Sequence, residues 1–464
     1  MRKKKILANI EIKDIANECK GLAHHDGQVV FVESTIPGDV VDVLISKKKS
    51  DYIIGKPIKF STFSKERQEP FCEHFELCGG CKLQYIGYEQ QLKYKQHIVE
   101  NTLERIGKLK DLKVLPILAC EDATYYRNKL EFTFTNRRWI TREEIDEKKD
   151  INRNALGFHI PGFFDKVVDI KKCYLQKDPS NDIRLFVNQY ALKNKLSYFD
   201  LIDKKGLLRN LTIRITNQDE IMLILSCFEN DKKEIKDLLD ATIKKFKLIT
   251  SVYYVINSKA NDSIFDLPLV HYFGKEKVIE KIGAISYEIG PKSFFQTNSK
   301  QAEKMFEVLK KYAGLTGEEV VYDLYSGLGS ITLFLAEQSK KIIGVEEVEA
   351  ATVDAQHNAK KNNINNAIFF TGRVEKIFDP AFMKTNGHPD VVITDPPRAG
   401  MHKDVISALL NAKPKKIVYV SCNPATLARD VNLLSGKYNV EEVQPLDMFP
   451  QTHHIENIAL LLLR

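Results

Sequence analysis

Two hydrophobic rhythms divide the chain. Over the first 60 residues apolar and polar side chains alternate in short runs, at 6–12, 28–32, 40–45 and 52–60. Turn-forming residues separate the runs: His25-Asp-Gly, Pro37-Gly-Asp and the stretch 47–50. Period-two alternation with regular breaks predicts a small β-barrel of oligonucleotide-binding type. Residues 61 to about 87 read as a cysteine-bearing loop, and 88–107 as a helix. A mixed α+β region follows to about 287, with strands predicted at Lys129–Thr135, 211–216, 221–226 and 251–256 and a charged helix near 232–246. The last 170 or so residues change character. Val- and Ile-rich runs at Val320–Leu324, 342–346, 367–370, Val391–Thr394 and 417–421 alternate with helical stretches. Continuous apolar strands spaced by helices predict a doubly wound parallel sheet, because such strands are covered on both faces. The expected fold class is therefore multidomain α/β. It comprises a barrel at 1–60, a central α+β region at 61–290 and a Rossmann-like sheet at 291–464.

Composition narrows the classes. At 464 residues, 43% hydrophobic and 28% charged, the chain is globular and too long for one ordinary core. The longest apolar run, 458–463, is far too short to span a bilayer, and Met1-Arg-Lys-Lys-Lys5 leads into no apolar leader segment. A cytoplasmic protein without a membrane partner is expected. A net charge of +7 permits a polyanionic partner without demanding one. Basic residues bunch at 2–5, 47–49, 137–138, 232–233 and 413–416, and each bunch alone reads as a solvated face. Eight cysteines in such a setting are thiols or ligands, not disulfides.

In doubly wound sheets ligands bind where strands end, so the chemistry sits at those ends. After the first strand comes Asp323-Leu-Tyr-Ser-Gly-Leu-Gly329, a carboxylate followed by a Gly-x-Gly turn into a helix. The second strand ends at Glu346, 19 positions after Gly327, a spacing that suits a carboxylate accepting both ribose hydroxyls of an adenosine. A dinucleotide is the rival ligand. Its third glycine position is occupied by Thr332, and Asp323 would repel a pyrophosphate. A ligand carrying a sulfonium and an amino acid tolerates that carboxylate, which favours S-adenosylmethionine over NAD. The fourth strand ends in Thr394-Asp-Pro-Pro-Arg-Ala-Gly400 and the fifth in Val420-Ser-Cys-Asn-Pro424. A carboxylate and a thiol thus face one crevice.

A thiol beside a methyl donor has a specific use. C5 of uracil is a poor nucleophile until a thiolate adds at C6 and makes C5 an enolate carbon. A polar group must orient the pyrimidine, and a base must then remove the C5 proton so that sulfur can leave. Cys422, Asp395 and a downstream carboxylate, with Glu456 the best candidate, supply that set. Glu456 read alone is better taken as a surface carboxylate.

The segments Asp395-Pro-Pro-Arg-Ala-Gly400, Val420-Ser-Cys-Asn-Pro-Ala-Thr-Leu-Ala-Arg-Asp430, Met448-Phe-Pro450 and Phe294-Phe-Gln-Thr-Asn298 resemble the RNA 5-methyluridine methyltransferase family. Ile36-Pro-Gly-Asp-Val40 resembles the TRAM RNA-binding barrel. The resemblance covers essentially the whole chain. It implies Cys422 as nucleophile, Glu456 as base, and S-adenosylmethionine contacts from Gln296, Tyr325, Glu346 and Asp395. Departures are Tyr325-Ser326 where Phe-Cys is frequent, Ser330 for Asn, Arg373 for an Asn near the adenine, and Gln451 for a His. His453 and His454 stay open between an ordering role and a surface role.

Cys72, Cys78 and Cys81 lie on one loop with Gly79-Gly80, and Cys173, 92 positions after Cys81, is available as a fourth ligand. By count the set suits zinc or an Fe–S cluster equally. The resemblance implies a [4Fe–4S] cluster with a structural or RNA-positioning role. Barrel plus cluster also points to the branch acting on 23S rRNA, with RNA as partner, no DNA, and a monomeric enzyme. The run Tyr125-Tyr-Arg-Asn-Lys129 reads either as a platform for a splayed RNA strand or as a packed strand start. Two rivals remain. An exocyclic-amine methyltransferase would leave Cys422 without work, and a non-catalytic RNA-binding protein predicts eroded cofactor and thiol positions, which are intact.

Overall fold

The computed structural model describes residues 5–109, 112–147 and 151–464. Residues 2–4, most of the first basic bunch and of the charged start read as lacking a leader, lie outside these. Among the described residues no helix is long and apolar enough to cross a membrane.

The alternating N-terminal runs form a six-stranded barrel-like sheet from Ile6–Glu11 to Tyr52–Thr62. Every second side chain turns inward, giving a core of Ile10, Ile12, Ala23, Val30, Val32, Val41, Val43 and Ile53. Two short strands, Asp14–Ala16 and Lys20–His25, carry too little alternation to be read in advance. Gly55 is there for space: a Cβ would lie 2.2 Å from Val43 Cγ1 across the pair.

The central region is built on a seven-stranded, mostly antiparallel sheet. Leu208–Ile215 is at its middle, flanked by Lys129–Thr135 and Ile221–Cys227. The helices Ser180–Lys193 and Lys232–Lys245 pack Ile183, Val187, Leu238 and Leu239 onto the face carrying Phe132, Phe134, Ile213 and Leu223.

The five apolar C-terminal runs pair as parallel strands in the spatial order Ala367–Thr371, Lys341–Glu346, Val320–Leu324, Val391–Thr394, Lys416–Ser421. Strand order reverses between Val320–Leu324 and Val391–Thr394, which makes the crevice above them the switch point. Two further strands complete the sheet. Glu456–Leu463 runs antiparallel between Lys416–Ser421 and Tyr438–Leu446, with Asn457 opposite Ser421. That register brings the first residue of the inserted strand to the end where the parallel strands finish.

The helix Tyr88–Arg105 ties the parts together. It places Ile98, Val99 and Leu103 in one apolar cluster with Ile15, Cys19 and Ile36 of the barrel and Leu427 and Val431 beneath the C-terminal sheet. From the same helix Lys95, fully buried, makes a 2.6 Å ion pair with the equally buried Asp447.

Candidate active site and four-cysteine cavity

The crevice at the switch point is lined as the strand ends predicted. Asp323 is fully buried; Thr332 Oγ1 donates to its Oδ2 at 2.6 Å, whereas Oδ1 has no partner. Ser326 Oγ and Thr394 Oγ1 are likewise buried and unpaired. Orphaned buried polar atoms are costly unless a ligand meets them. Their clustering here fits a polar, cationic ligand such as S-adenosylmethionine. Glu346 accepts from Gly327 N–H at 2.9 Å and Val348 N–H at 2.8 Å, which fixes its carboxylate at the second strand's tip. The loop needs its glycines for close approach. At Gly329, φ 82°, a Cβ would meet the Phe369 ring at 2.9 Å. Tyr325 takes a left-handed φ of 69° and bonds back to Val345 O at 3.0 Å, leaving its ring half-buried beside the crevice. Gln296 sits in the loop before the helix Ser299–Ala313. Asn128 holds that loop, donating to Gln296 O at 3.0 Å and Ser299 Oγ at 2.9 Å. Arg373, where an Asn contact was not expected to carry over, pairs with Glu375 instead.

Cys422 leaves its strand half-exposed. Asn423 caps the following helix Pro424–Leu434 by accepting from Ala425 N–H at 3.0 Å. The remainder of the Ser-Cys-Asn-Pro-Ala-Thr-Leu-Ala-Arg-Asp run fastens this helix to the neighbouring loop. Arg429 donates to Ala399 O at 2.9 Å, and Asp430 accepts from Met401 N–H at 2.9 Å and Tyr419 O–H at 2.7 Å. The thiol and the Asp395 loop are thereby held as one unit.

Glu456 is buried, 7% exposed, so the surface reading of this carboxylate does not hold. Its neighbours explain its ionisation. Burial pushes its carboxyl up to about 8, the Asp395 charge adds to this, and Arg398 opposes it. Burial alone raises Asp395 to about 7, though part of its surface stays open to the crevice. Burial, with smaller contributions from Asp395 and Glu346, raises Asp323 to about 7 as well. The Cys422 thiol is raised to about 11 by burial and by Glu456, and Arg398, hydrogen-bonded to it, works the other way. No sequence signal singled out Arg398. Its Nη2 donates to His454 Nδ1 at 2.7 Å. Burial and the nearby His453 and Arg398 push His454 down to about 3, so it serves as a neutral acceptor. His453 stacks on it at 4.2 Å. His454 is thus half-buried and holds Arg398 instead of lying free at the surface. The assembled group holds a thiol, a buried carboxyl, a second carboxyl and a fixed guanidinium.

Cys72, Cys78, Cys81 and Cys173 line one cavity of about 160 Å³ in the central region, together with His74 and Arg127. All four are free thiols, and burial raises each; Cys78 and Cys81 reach about 12. Among the described residues no group of three or more His, Cys, Asp or Glu side chains forms a ready-made metal site. The Arg127 Nε is buried at this wall without a partner. A buried cationic donor with a vacant N–H beside four desolvated thiols fits an anionic thiolate-bound group. Of the Tyr125–Lys129 run only Tyr125 is exposed, against Tyr174 at 6.1 Å. Tyr126 is buried with its hydroxyl on Pro450 O at 2.8 Å, so the packed-strand reading holds for the rest.

Known proteins agree with this geometry. Residues 232–464 match the family described as tRNA (Uracil-5-)-methyltransferase, and residues 7–58 match the TRAM domain. An uncharacterized RNA methyltransferase of Bacteroides thetaiotaomicron is 48% identical over 97% of this chain and 100% of its own length. One of Porphyromonas gingivalis is 46% identical over 97% and 99%. Among solved structures, the Pyrococcus abyssi tRNA (uracil-54, C5)-methyltransferase in complex with S-adenosyl-L-homocysteine superposes with a TM-score of 0.75. It is 26% identical and covers 98% of this chain and all of its own. The chain belongs to the RNA uracil-C5 methyltransferase family and is an S-adenosylmethionine-dependent RNA methyltransferase with an N-terminal TRAM domain.

Proposed function

We propose that this enzyme methylates C5 of a uridine through a covalent bond from Cys422 Sγ to C6 of the base. The observation that carries the reading is the meeting of Cys422, Arg398, Asp395 and Glu456 at the ends of adjacent strands. Cys422 gives up its proton to water at the mouth, with Arg398 lowering the cost of the thiolate. Sulfur adds at C6 and the electron pair moves to C5, which takes the methyl from the sulfonium and leaves S-adenosylhomocysteine. Glu456, ionised, removes the C5 proton; the C5–C6 double bond reforms and Sγ departs. Asp395 orients the pyrimidine and, with Gln296, Tyr325 and Glu346, the methyl donor. Only an unstacked base reaches Cys422, so the target is a loop or locally melted strand.

Residues 1–60 act as an RNA-binding barrel, 61–290 as the part holding the cysteine cavity, and 291–464 as the methyltransferase, working as a cytoplasmic monomer. Cys72, Cys78, Cys81 and Cys173 would hold a [4Fe–4S] cluster, zinc being the lesser alternative. The group supplies a rigid crosslink between the two segments that bear its ligands. Large-subunit rRNA is the first substrate reading. The Pyrococcus abyssi likeness favours a second, tRNA, because a protein named for tRNA uracil-54 matches 98% of this chain, barrel included. Mapping 5-methyluridine in rRNA and tRNA of a deletion strain decides between them.

The mechanism is tested with 5-fluorouridine RNA, in which no C5 proton can be removed. The wild type should form a stable adduct, and Cys422→Ala should form none and turn over nothing. Glu456→Gln should add, transfer the methyl and stall, trapping an adduct on ordinary RNA. An active Cys422→Ala enzyme refutes the covalent route.

A further inference from the structure

The segment 447–456 joins Tyr438–Leu446 to Glu456–Leu463, and its anchorage decides where the Glu456 carboxyl sits. One side is held by the helix Ser299–Ala313, where Gln301 donates to Asp447 O at 3.0 Å, and by its cap Asn298, which donates to Met448 O at 2.9 Å. The other side is fastened to the cysteine loop. The N–H groups of Lys82 and Leu83, directly after Cys81, both donate to Gln451 O, at 2.7 and 3.1 Å. Gln91, fully buried on the helix Tyr88–Arg105, bonds both the side chain and the backbone of Gln451. Gln91 Nε2 donates to Gln451 Oε1 at 2.9 Å, and Gln91 Oε1 accepts from Gln451 N–H at 3.1 Å. The same Nε2 reaches Leu83 O and Ile86 O, each at 3.0 Å, so one amide holds both loops.

Gln451 adopts a left-handed φ of 67°. Glycine takes that conformation without strain, whereas any side chain there is disfavoured by sterics. A strained, 4% exposed glutamine is therefore present for its amide. A carboxamide that bonds both the side-chain oxygen and the backbone N–H of its partner fixes geometry in a way an apolar contact does not, since each bond is directional and buried. Downstream the ordering continues: Phe449 lies under Arg127 at 5.0 Å and meets His454 edge-on at 6.1 Å, and His454 holds Arg398.

We propose that Gln91 and Gln451 are positioning residues whose reciprocal amide pair clamps the cysteine loop onto the segment bearing Glu456 and sets the reach of that carboxyl to the C5 proton. The inference rests on the reading of Cys422 and Glu456 given above. Gln451→Gly removes the side-chain acceptor, keeps the backbone N–H that bonds Gln91 Oε1, and relieves the backbone; Gln91→Leu removes both bonds of the pair at similar volume. Each should lower kcat about ten- to hundredfold, as a base displaced by about 1 Å would. KM for RNA and the Kd for S-adenosylmethionine should hold within about twofold. Both variants should accumulate covalent adduct on ordinary uridine RNA, because addition and methyl transfer outrun the displaced base. A kcat like that of the wild type, or weaker RNA binding without adduct accumulation, overturns the clamp while leaving the mechanism standing. Loss of S-adenosylmethionine binding in both variants overturns it too, by making the pair a folding element. A wild type that forms no adduct with 5-fluorouridine RNA overturns the mechanism and the clamp with it.

Discussion

Binding of the methyl donor should release protons, and the magnitude follows from the crevice. Asp323 is wholly buried and its carboxyl sits near 7 instead of the ordinary 3.8. Holding it ionised in the ligand-free fold therefore costs about 4 kcal/mol at pH 7 and above, from about 1.4 kcal/mol per pH unit. The sign is that of an acid whose folded value is raised. The folded state keeps the proton that the unfolded chain loses, so ligand-free stability falls as pH rises from about 4 to 7. A ligand bringing an ammonium and a sulfonium favours the ionised form. Affinity for S-adenosylmethionine should then rise about tenfold per pH unit below 7 for each proton released, and flatten above it. Asp395, also near 7, makes the slope up to twice as steep. Isothermal titration calorimetry in buffers of different ionisation enthalpy counts the protons directly. The slope should be shallower for S-adenosylhomocysteine, which lacks the sulfonium. Affinity independent of pH between 6 and 7, with no proton release, would refute this account of the crevice.

Two further outcomes follow from features outside the crevice. Anaerobically purified protein should be brown with about four irons per chain, and Cys81→Ser should lose them while still binding S-adenosylmethionine; colourless protein with one zinc would reject the cluster. Lys95→Met should cost about 3–5 kcal/mol in denaturant unfolding by stranding the buried Asp447, and replacing both residues with apolar ones should recover most of it; a loss below about 1 kcal/mol would mean that the pair is not dry.

Much of the catalytic sheet was legible because each parallel strand is buried on both faces and so reads as a continuous apolar run. The residues at those strand ends, Asp323, Glu346, Asp395 and Cys422, were legible for the same reason: once the runs are aligned, their ends share a crevice. Glu456 was not. Its place beside Cys422 depends on an antiparallel strand inserted between two others, and the run 458–463 carries no mark of direction or partner. Arg398 and the Gln91–Gln451 pair were hidden differently, since their roles lie in side-chain contacts across 56 and 360 positions of sequence. In the barrel, alternation failed at the three-residue Asp14–Ala16 and at Lys20–His25, whose Gly, Ala and two His give little apolar contrast. The central strands at Ala155–His159 and Val167–Asp169 were missed because segments of five and three residues have too few inward positions to show a period.

The inserted strand also imposes an order on the making of the enzyme. Synthesis proceeds from the N-terminus, so all five parallel strands exist before Glu456–Leu463 does. Until then the Lys416–Ser421 strand is an unpaired edge of Ile, Val and Tyr, the kind of surface that recruits other chains. Cys422 is thus present on an open sheet before Glu456 exists, and the strand that closes the edge delivers that carboxyl. Under the roles proposed for Cys422 and Glu456, completion of the sheet and acquisition of turnover become one event, and a nascent chain with a finished cofactor crevice would hold its thiol without the means to release a product.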